Sequence, residues 1–175
     1  MTKTNPVHVF IDMDGVLADH DRQAQNYGVK TDNTPDNDPG TKYDIIDYKD
    51  DFFRTMPKMP DFDTLESWMK TLPHKQVHIL SAVPKRRTSA LSPLDEKKEW
   101  VKEKMPWFRT RNIHIVFREH KQFFAKEYEH AILIDDNKSN IYEWREAGGI
   151  GILHLNASES VRKAMGVQMA LEGLI

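Results

Sequence analysis

The 175-residue chain has no cysteine, which excludes disulfides and thiolate metal sites and fits a reducing compartment. It also lacks a net charge of either sign. With 25 Lys and Arg against 27 Asp and Glu, the formal charge is -2, so nothing pulls the whole molecule toward nucleic acid or an anionic membrane. No apolar run approaches the ~20 residues needed to span a bilayer, and the polar start "MTKTNP" has no signal-peptide core. A cytoplasmic protein without membrane contact is expected. No internal repeat is evident. What remains is a chain that is 39% hydrophobic, enough for one well-buried core with a small insert but not for two full domains.

Short β-rich runs recur at 7–11, 76–82, 113–117, 131–135 and 149–154, and helical stretches separate most of them. That alternation predicts an α/β fold with a parallel five-stranded sheet. Leu65, Trp68, Met69 and Leu72 follow the i, i+3, i+4, i+7 spacing of one buried helix face. "SPLDEKKEWVKEKM" places a proline near a helix start, and "DNKSNIYEWREAGG" runs from an Asn cap to glycines at the stop. Asn156, with Glu159 three residues on, predicts a capping box. From His20 to about Pro60 no strand is evident, and "TDNTPDNDPGTKYD" is dense in turn formers. Residues 20–60 therefore read as a small cap inserted after the first strand, with 1–19 and 61–175 forming the core.

Ligands of open parallel sheets bind at the carboxyl ends of the strands. The residues there are Asp12 and Asp14 in "HVFIDMDGVLADHD", then Ser81 and Lys85, then Arg118, then Asp135 with Asp136. Two acids one residue apart repel unless a cation or a shared proton lies between them. Four acids, a hydroxyl and several cations suit Mg²⁺, which binds through a few carboxylates plus substrate phosphate. Phosphoryl chemistry follows. The plain alternative for Asp12 and Asp14 is a solvated turn before Gly15, and the matching acids at 135 and 136 weigh against it. His74 and His78 lack the helical geometry of a metal pair and read as structural.

These residues carry a resemblance. "DMDGV", the serine of "HILSA", a downstream lysine and "LIDD" resemble the four motifs of the haloacid dehalogenase (HAD) superfamily of phosphohydrolases. "DMDGVLAD", the "FF" followed by "MPDF" within 52–62 and "EKKEWVKEK" at 96–104 are similar to the 5'(3')-deoxyribonucleotidases of that superfamily. The resemblance implies a Rossmann-like, HAD-type core and an enzyme that hydrolyses phosphoric monoesters, with a (deoxy)nucleoside monophosphate as its small-molecule partner. Asp12 would be the nucleophile forming an aspartyl-phosphate, and Asp14 the acid and base. Ser81 would hold the phosphoryl group and Lys97 neutralise it, with Lys98, Lys121 and Lys126 as alternatives to Lys97. Asp12, the Asp14 carbonyl and Asp136 would hold Mg²⁺, and Asp135 would either bind it or support the other ligands. His20, Phe53, Lys85 and Arg118 would contact the rest of the substrate, with Tyr43, Tyr48 and Phe52 as further aromatic candidates. "LIDDNKSNIYEWREAGGIGILH" also resembles the end of polynucleotide 3'-phosphatase domains, which makes nucleic acid an alternative substrate, beside other small phosphomonoesters. A phosphate-binding module without activity is the remaining reading, since fold does not fix function.

Overall fold

The computed structural model describes residues 5–28, 51–83 and 92–173. Five strands are present: β1 (Val7–Ile11), β2 (Val77–Ala82), β3 (Ile113–Val116), β4 (His130–Asp135) and β5 (Ile150–Leu153). They form one all-parallel sheet in the order β3-β2-β1-β4-β5. All five expected strands are present, with ends shifted by no more than a residue or so. The order reverses direction on either side of β1, which puts the crevice for a ligand just beyond the ends of β1, β2 and β4.

Each strand is apolar on both sides because both faces of the sheet are covered. Val7, Val9, Ile11, Val77, Ile79, Ile132 and Ile134 face one cluster. There they meet Leu65 and Met69 of α2 (Phe62–Met69), Trp100 of α3 (Pro93–Lys104) and Ala164 of α5 (Ala157–Leu171). Phe10, Leu80 and Leu133 point to the opposite face, against Ile141 and Trp144 of α4 (Lys138–Glu146). The four residues expected on one helix face, Leu65, Trp68, Met69 and Leu72, are all buried, although the helix itself stops at Met69.

Two caps expected from the sequence start their helices. Asn137 accepts from the backbone N–H of Ser139 and Asn140, and Asn156 accepts from Glu159 N. The capping box is only half made, because the Glu159 carboxylate pairs with Lys163 instead of reaching back to the cap.

The segment after β1 leaves the sheet through a tight loop in which Leu17 and Ala18 donate to Met13 O. It continues into α1 (His20–Asn26) and returns at residue 51. Exit and return are tied together by Asp19 N donating to Pro57 O and Met59 N donating to Leu17 O, at 2.8 and 2.9 Å. Residues 29–50 of the expected cap, including Tyr43 and Tyr48, lie outside the described residues, as does Lys85. The flanks of the insertion belong to the main core: Ala24, Phe52, Phe53 and Met56 are buried in the same cluster as β1. No helix among the described residues is long and apolar enough to cross a membrane.

Candidate active site

Asp12 follows the last residue of β1 and Asp135 ends β4, and the pairing of these two neighbouring strands sets both carboxylates side by side. Asp12, Asp135 and Asp136 each present an oxygen within 4.8 Å of the others. The cluster is tight because Gly15 lets it be: its φ is +77°, and a Cβ there would run into the Asp136 carboxylate.

Such a cluster strains against its own charge. Burial, then the Asp135 and Asp14 charges, push Asp12 up to about 8, with Lys121 acting in the opposite sense. Asp136 is raised to about 6, by lost hydration first and then by Asp135 and Asp14. Carboxylate oxygens held this close, two of the three acids buried and Asp136 open to solvent, are the donor set of a hard divalent cation, which would lower both values.

One cation is already built in. Lys121 Nζ donates to Asp12 Oδ1 at 2.7 Å and to Asp135 Oδ2 at 2.8 Å. Burial alone would lower the Lys121 pKa, but the two carboxylates outweigh it and raise it. Lys121 comes from a 3₁₀ segment (Arg118–Lys126) after β3, a tighter coil than an α-helix and unusually long for its type.

A second buried lysine lies on the other side of the acid pair. Lys97 Nζ donates to Asp14 Oδ2 at 2.6 Å, to Ser81 Oγ at 3.0 Å and to Ala82 O at 2.6 Å. An ammonium has three protons, so these partners use all of them, whereas Lys121 uses two on the described residues. Asp14 Oδ1 is shielded from solvent and has no hydrogen-bond partner among the described residues. An unsatisfied buried carboxylate oxygen is rare in a folded protein and suits one that waits for a proton donor.

Asp135 is fully engaged. Besides Lys121, it accepts from Asn137 N at 2.8 Å and, on both oxygens, from Asn140 Nδ2 at 3.1 and 2.9 Å. Asp136 is therefore the freer of the two acids at the end of β4.

Of the residues expected at the site, Asp12, Asp14, Ser81, Lys97, Asp135 and Asp136 converge. Phe53 reaches its edge: Lys97 Nζ lies 4.8 Å from the centre of that ring. His20 packs against Phe52 and Phe53 at ring-centre distances of 5.4 and 6.5 Å. Arg118 points elsewhere, donating to Asn140 Oδ1 and Glu143 Oε1, and is linked to Asp135 only through Asn140. His78 stands between His8 and His114 on the covered face of the sheet, away from the acids, in keeping with a structural role.

No protein-family model and no curated protein matches the chain. Solved structures do. A HAD-family hydrolase from Deinococcus radiodurans R1, with bound phosphate and sodium, superposes with a TM-score of 0.52 over 99% of both chains at 14% identity. The fold is that of a HAD-type hydrolase. Two other HAD-type proteins align less closely. One is a HAD-family enzyme from Bacteroides thetaiotaomicron in a magnesium complex, at a TM-score of 0.46 and 15% identity, covering 86% of this chain and 93% of that one. The other is a subfamily IA hydrolase from Geobacter sulfurreducens PCA, at 0.45 and 14%, covering 86% and 91%.

Within this HAD-type fold, two contributors, Asn140 and Lys121, stand out beyond the leading candidates. Asn140 orients Asp135, and its signal was only the Asn-rich start of α4. Lys121, an alternative to Lys97 by its sequence, is the lysine that bridges Asp12 and Asp135.

Proposed function

We propose that the protein is a Mg²⁺-dependent phosphomonoesterase working through an aspartyl-phosphate, with a (deoxy)nucleoside monophosphate as its substrate, in the manner of the 5'(3')-deoxyribonucleotidases. One observation carries the reading: a buried lysine shared by Asp12 and Asp135, with Asp136 and the unsatisfied Asp14 oxygen beside it.

Asp12, Asp136 and the backbone carbonyl of Asp14 would hold the ion, with Asp135 supporting them. When bound, Mg²⁺ neutralises the phosphoryl oxygens and so lets an anionic nucleophile approach. An Asp12 oxygen attacks phosphorus as the bond to the leaving oxygen breaks, and Asp14 delivers its proton to that oxygen. In the second step a water attacks the phosphorus of phospho-Asp12 and gives its proton to Asp14, releasing inorganic phosphate and restoring both carboxyl groups. Ser81 hydrogen-bonds the phosphoryl group. Lys121, with only two of its three protons taken up among the described residues, is the cation that faces it, in place of Lys97, which is turned to Asp14 and Ser81.

Specificity rests on the flanks of the insertion. Residues 20–60 would act as a cap, in which His20 and Phe53 line the leaving-group side and Lys85 supplies outer positive charge, whereas Arg118 is held by Asn140 and Glu143 and is not part of that contact.

The test combines metal and covalent labelling. Chelation should abolish hydrolysis of nucleoside monophosphates, and Mg²⁺ should restore it while Ca²⁺ does so poorly. With an aryl phosphate, Asp14→Asn should accumulate one added phosphate on the peptide carrying Asp12, and Asp12→Asn should accumulate none. A label on Ser81 or a histidine would end the aspartyl-phosphate reading.

A second reading, removal of phosphate from nucleic-acid ends, is favoured by a surface feature. Phe117 and Phe123 are 40% and 51% exposed, and the His120 ring lies 5.8 and 5.6 Å from them, forming a row of rings on the segment that carries Lys121. Rings in a row stack on successive bases. A salt-sensitive preference for 3'-phosphorylated oligonucleotides over mononucleotides would select this reading.

A further inference from the structure

Glu96 and Lys97 are consecutive residues of α3, both buried and both charged, yet they do not serve the same part of the molecule. Glu96 faces the point where the chain returns from the insertion. Its Oε1 accepts from Asp51 N at 3.1 Å, and its Oε2 accepts from Phe53 N at 2.9 Å and Arg54 N at 3.4 Å. Asp51 has a φ of +65°, a conformation unfavourable for a residue with a side chain, and the carboxylate helps to hold it there. One turn further along α3, Trp100 Nε1 donates to Met56 O at 2.7 Å. The helix thus grips residues 51–56 by side-chain contacts to their backbone.

Lys97 faces the active site, with all three ammonium protons on Asp14, Ser81 and Ala82 O. The same ammonium lies over the ring of Phe53, whose backbone Glu96 holds. A change in the seating of residues 51–56 therefore reaches Asp14 through two adjacent side chains on one rigid helix.

We propose that Glu96 and Lys97 are positioning residues that couple the seating of the returning segment to the alignment of the Asp14 carboxylate, Lys97 acting on Asp14 and not on the substrate phosphate. The inference rests on the phosphatase reading for the role of Asp14, but the contact chain stands without it.

The experiment compares an alkyl phosphate, whose departure needs a proton, with 4-nitrophenyl phosphate, whose departure does not. Misplacing the acid should slow first-turnover alcohol release from the alkyl ester by about 100-fold in Lys97→Met, with less than about tenfold lost in the first-turnover burst of 4-nitrophenol, while the later hydrolysis of phospho-Asp12, which also uses Asp14, slows equally for both. Competitive inhibition by inorganic phosphate should stay within about twofold of the parent, because Lys121 supplies the phosphate contact. Glu96→Gln should show the same split at smaller size, and the double variant should be no worse than Lys97→Met, since both act through one chain of contacts. Equal losses in first-turnover release from the two esters, or phosphate inhibition weakened more than about tenfold, would overturn the proposal while leaving the phosphatase reading intact.

Amide hydrogen exchange gives a readout independent of activity. Lys97→Met, or Lys97→Gln if the first does not fold, should speed exchange at Phe53 and Arg54, although it removes none of their hydrogen bonds directly. Unchanged exchange there would overturn the coupling. Absence of turnover by the parent protein on every phosphoester, with the exchange effect present, would overturn the phosphatase reading alone.

Discussion

The Lys121 ammonium donates to Asp12 Oδ1 at 2.7 Å across a sequence separation of 109 residues, with both groups almost wholly out of solvent. Removing one member of such a buried pair leaves an uncompensated charge, which costs about 3–5 kcal/mol. Lys121→Met should therefore lower stability by that order in chelator, with part of the loss recovered on adding Mg²⁺. Phosphoester turnover should fall by at least about 100-fold, as expected when a donor to the developing charge is lost. Denaturation with and without Mg²⁺, alongside steady-state rates, checks both effects.

Gly15 should tolerate no side chain. Gly15→Ala must place a Cβ on a backbone at φ +77° and against the Asp136 carboxylate. The backbone term alone costs roughly 1–2 kcal/mol. The displaced carboxylate should weaken Mg²⁺ binding, which calorimetry would read directly. An unchanged metal isotherm in a folded variant would remove Asp136 from the ligand set.

Acid should loosen the protein through the histidine row under the sheet. His78 has both nitrogens engaged, Nε2 with His8 Nδ1 at 3.0 Å and Nδ1 with His114 Nε2 at 3.2 Å. Burial, followed by the neighbouring His114 and His8, lowers its pKa from 6.5 to about 3. The folded state thus keeps His78 neutral while the unfolded chain binds a proton below pH 6.5, so stability is full above that pH and declines from there toward pH 3. The slope is up to about 1.4 kcal/mol per pH unit for one proton. His78→Gln removes the titration and keeps a hydrogen-bonding side chain. Urea midpoints of the two proteins should diverge less at pH 4.5 than at pH 7.

Phe53 should report on both packing and substrate choice. It is 4% exposed and sits between Phe52 and the Lys97 ammonium. Phe53→Ala should cost about 3–5 kcal/mol as a core truncation. If Phe53 also lines the leaving-group side, discrimination among nucleobases should narrow more than the rate on a small generic phosphoester falls. Equal losses on both classes of substrate would leave it a packing role only.

Local pattern determined much of this protein. The five apolar runs became five parallel strands because a strand buried on both faces must be apolar throughout, and the acids directly after them came together because parallel strands end at one edge. Asn137 and Asn156 start their helices because a cap acts only on the two or three residues that follow it. The side chain of Glu159 shows the limit of that logic: the cap pattern requires it to reach back, and Lys163, one turn ahead, holds it instead. What the tertiary structure alone decided is which lysine meets which acid. Lys97 and Lys121 have the same chemistry and long flexible stems, and both follow a strand end, so spacing does not separate them. The difference lies in the elements that carry them. The α-helix after β2 aims Lys97 at Asp14 and Ser81, and the 3₁₀ segment after β3 aims Lys121 at Asp12 and Asp135. Glu96 was equally hidden, because its partners are backbone amides 42 to 45 residues away, and a backbone amide has no identity in a sequence.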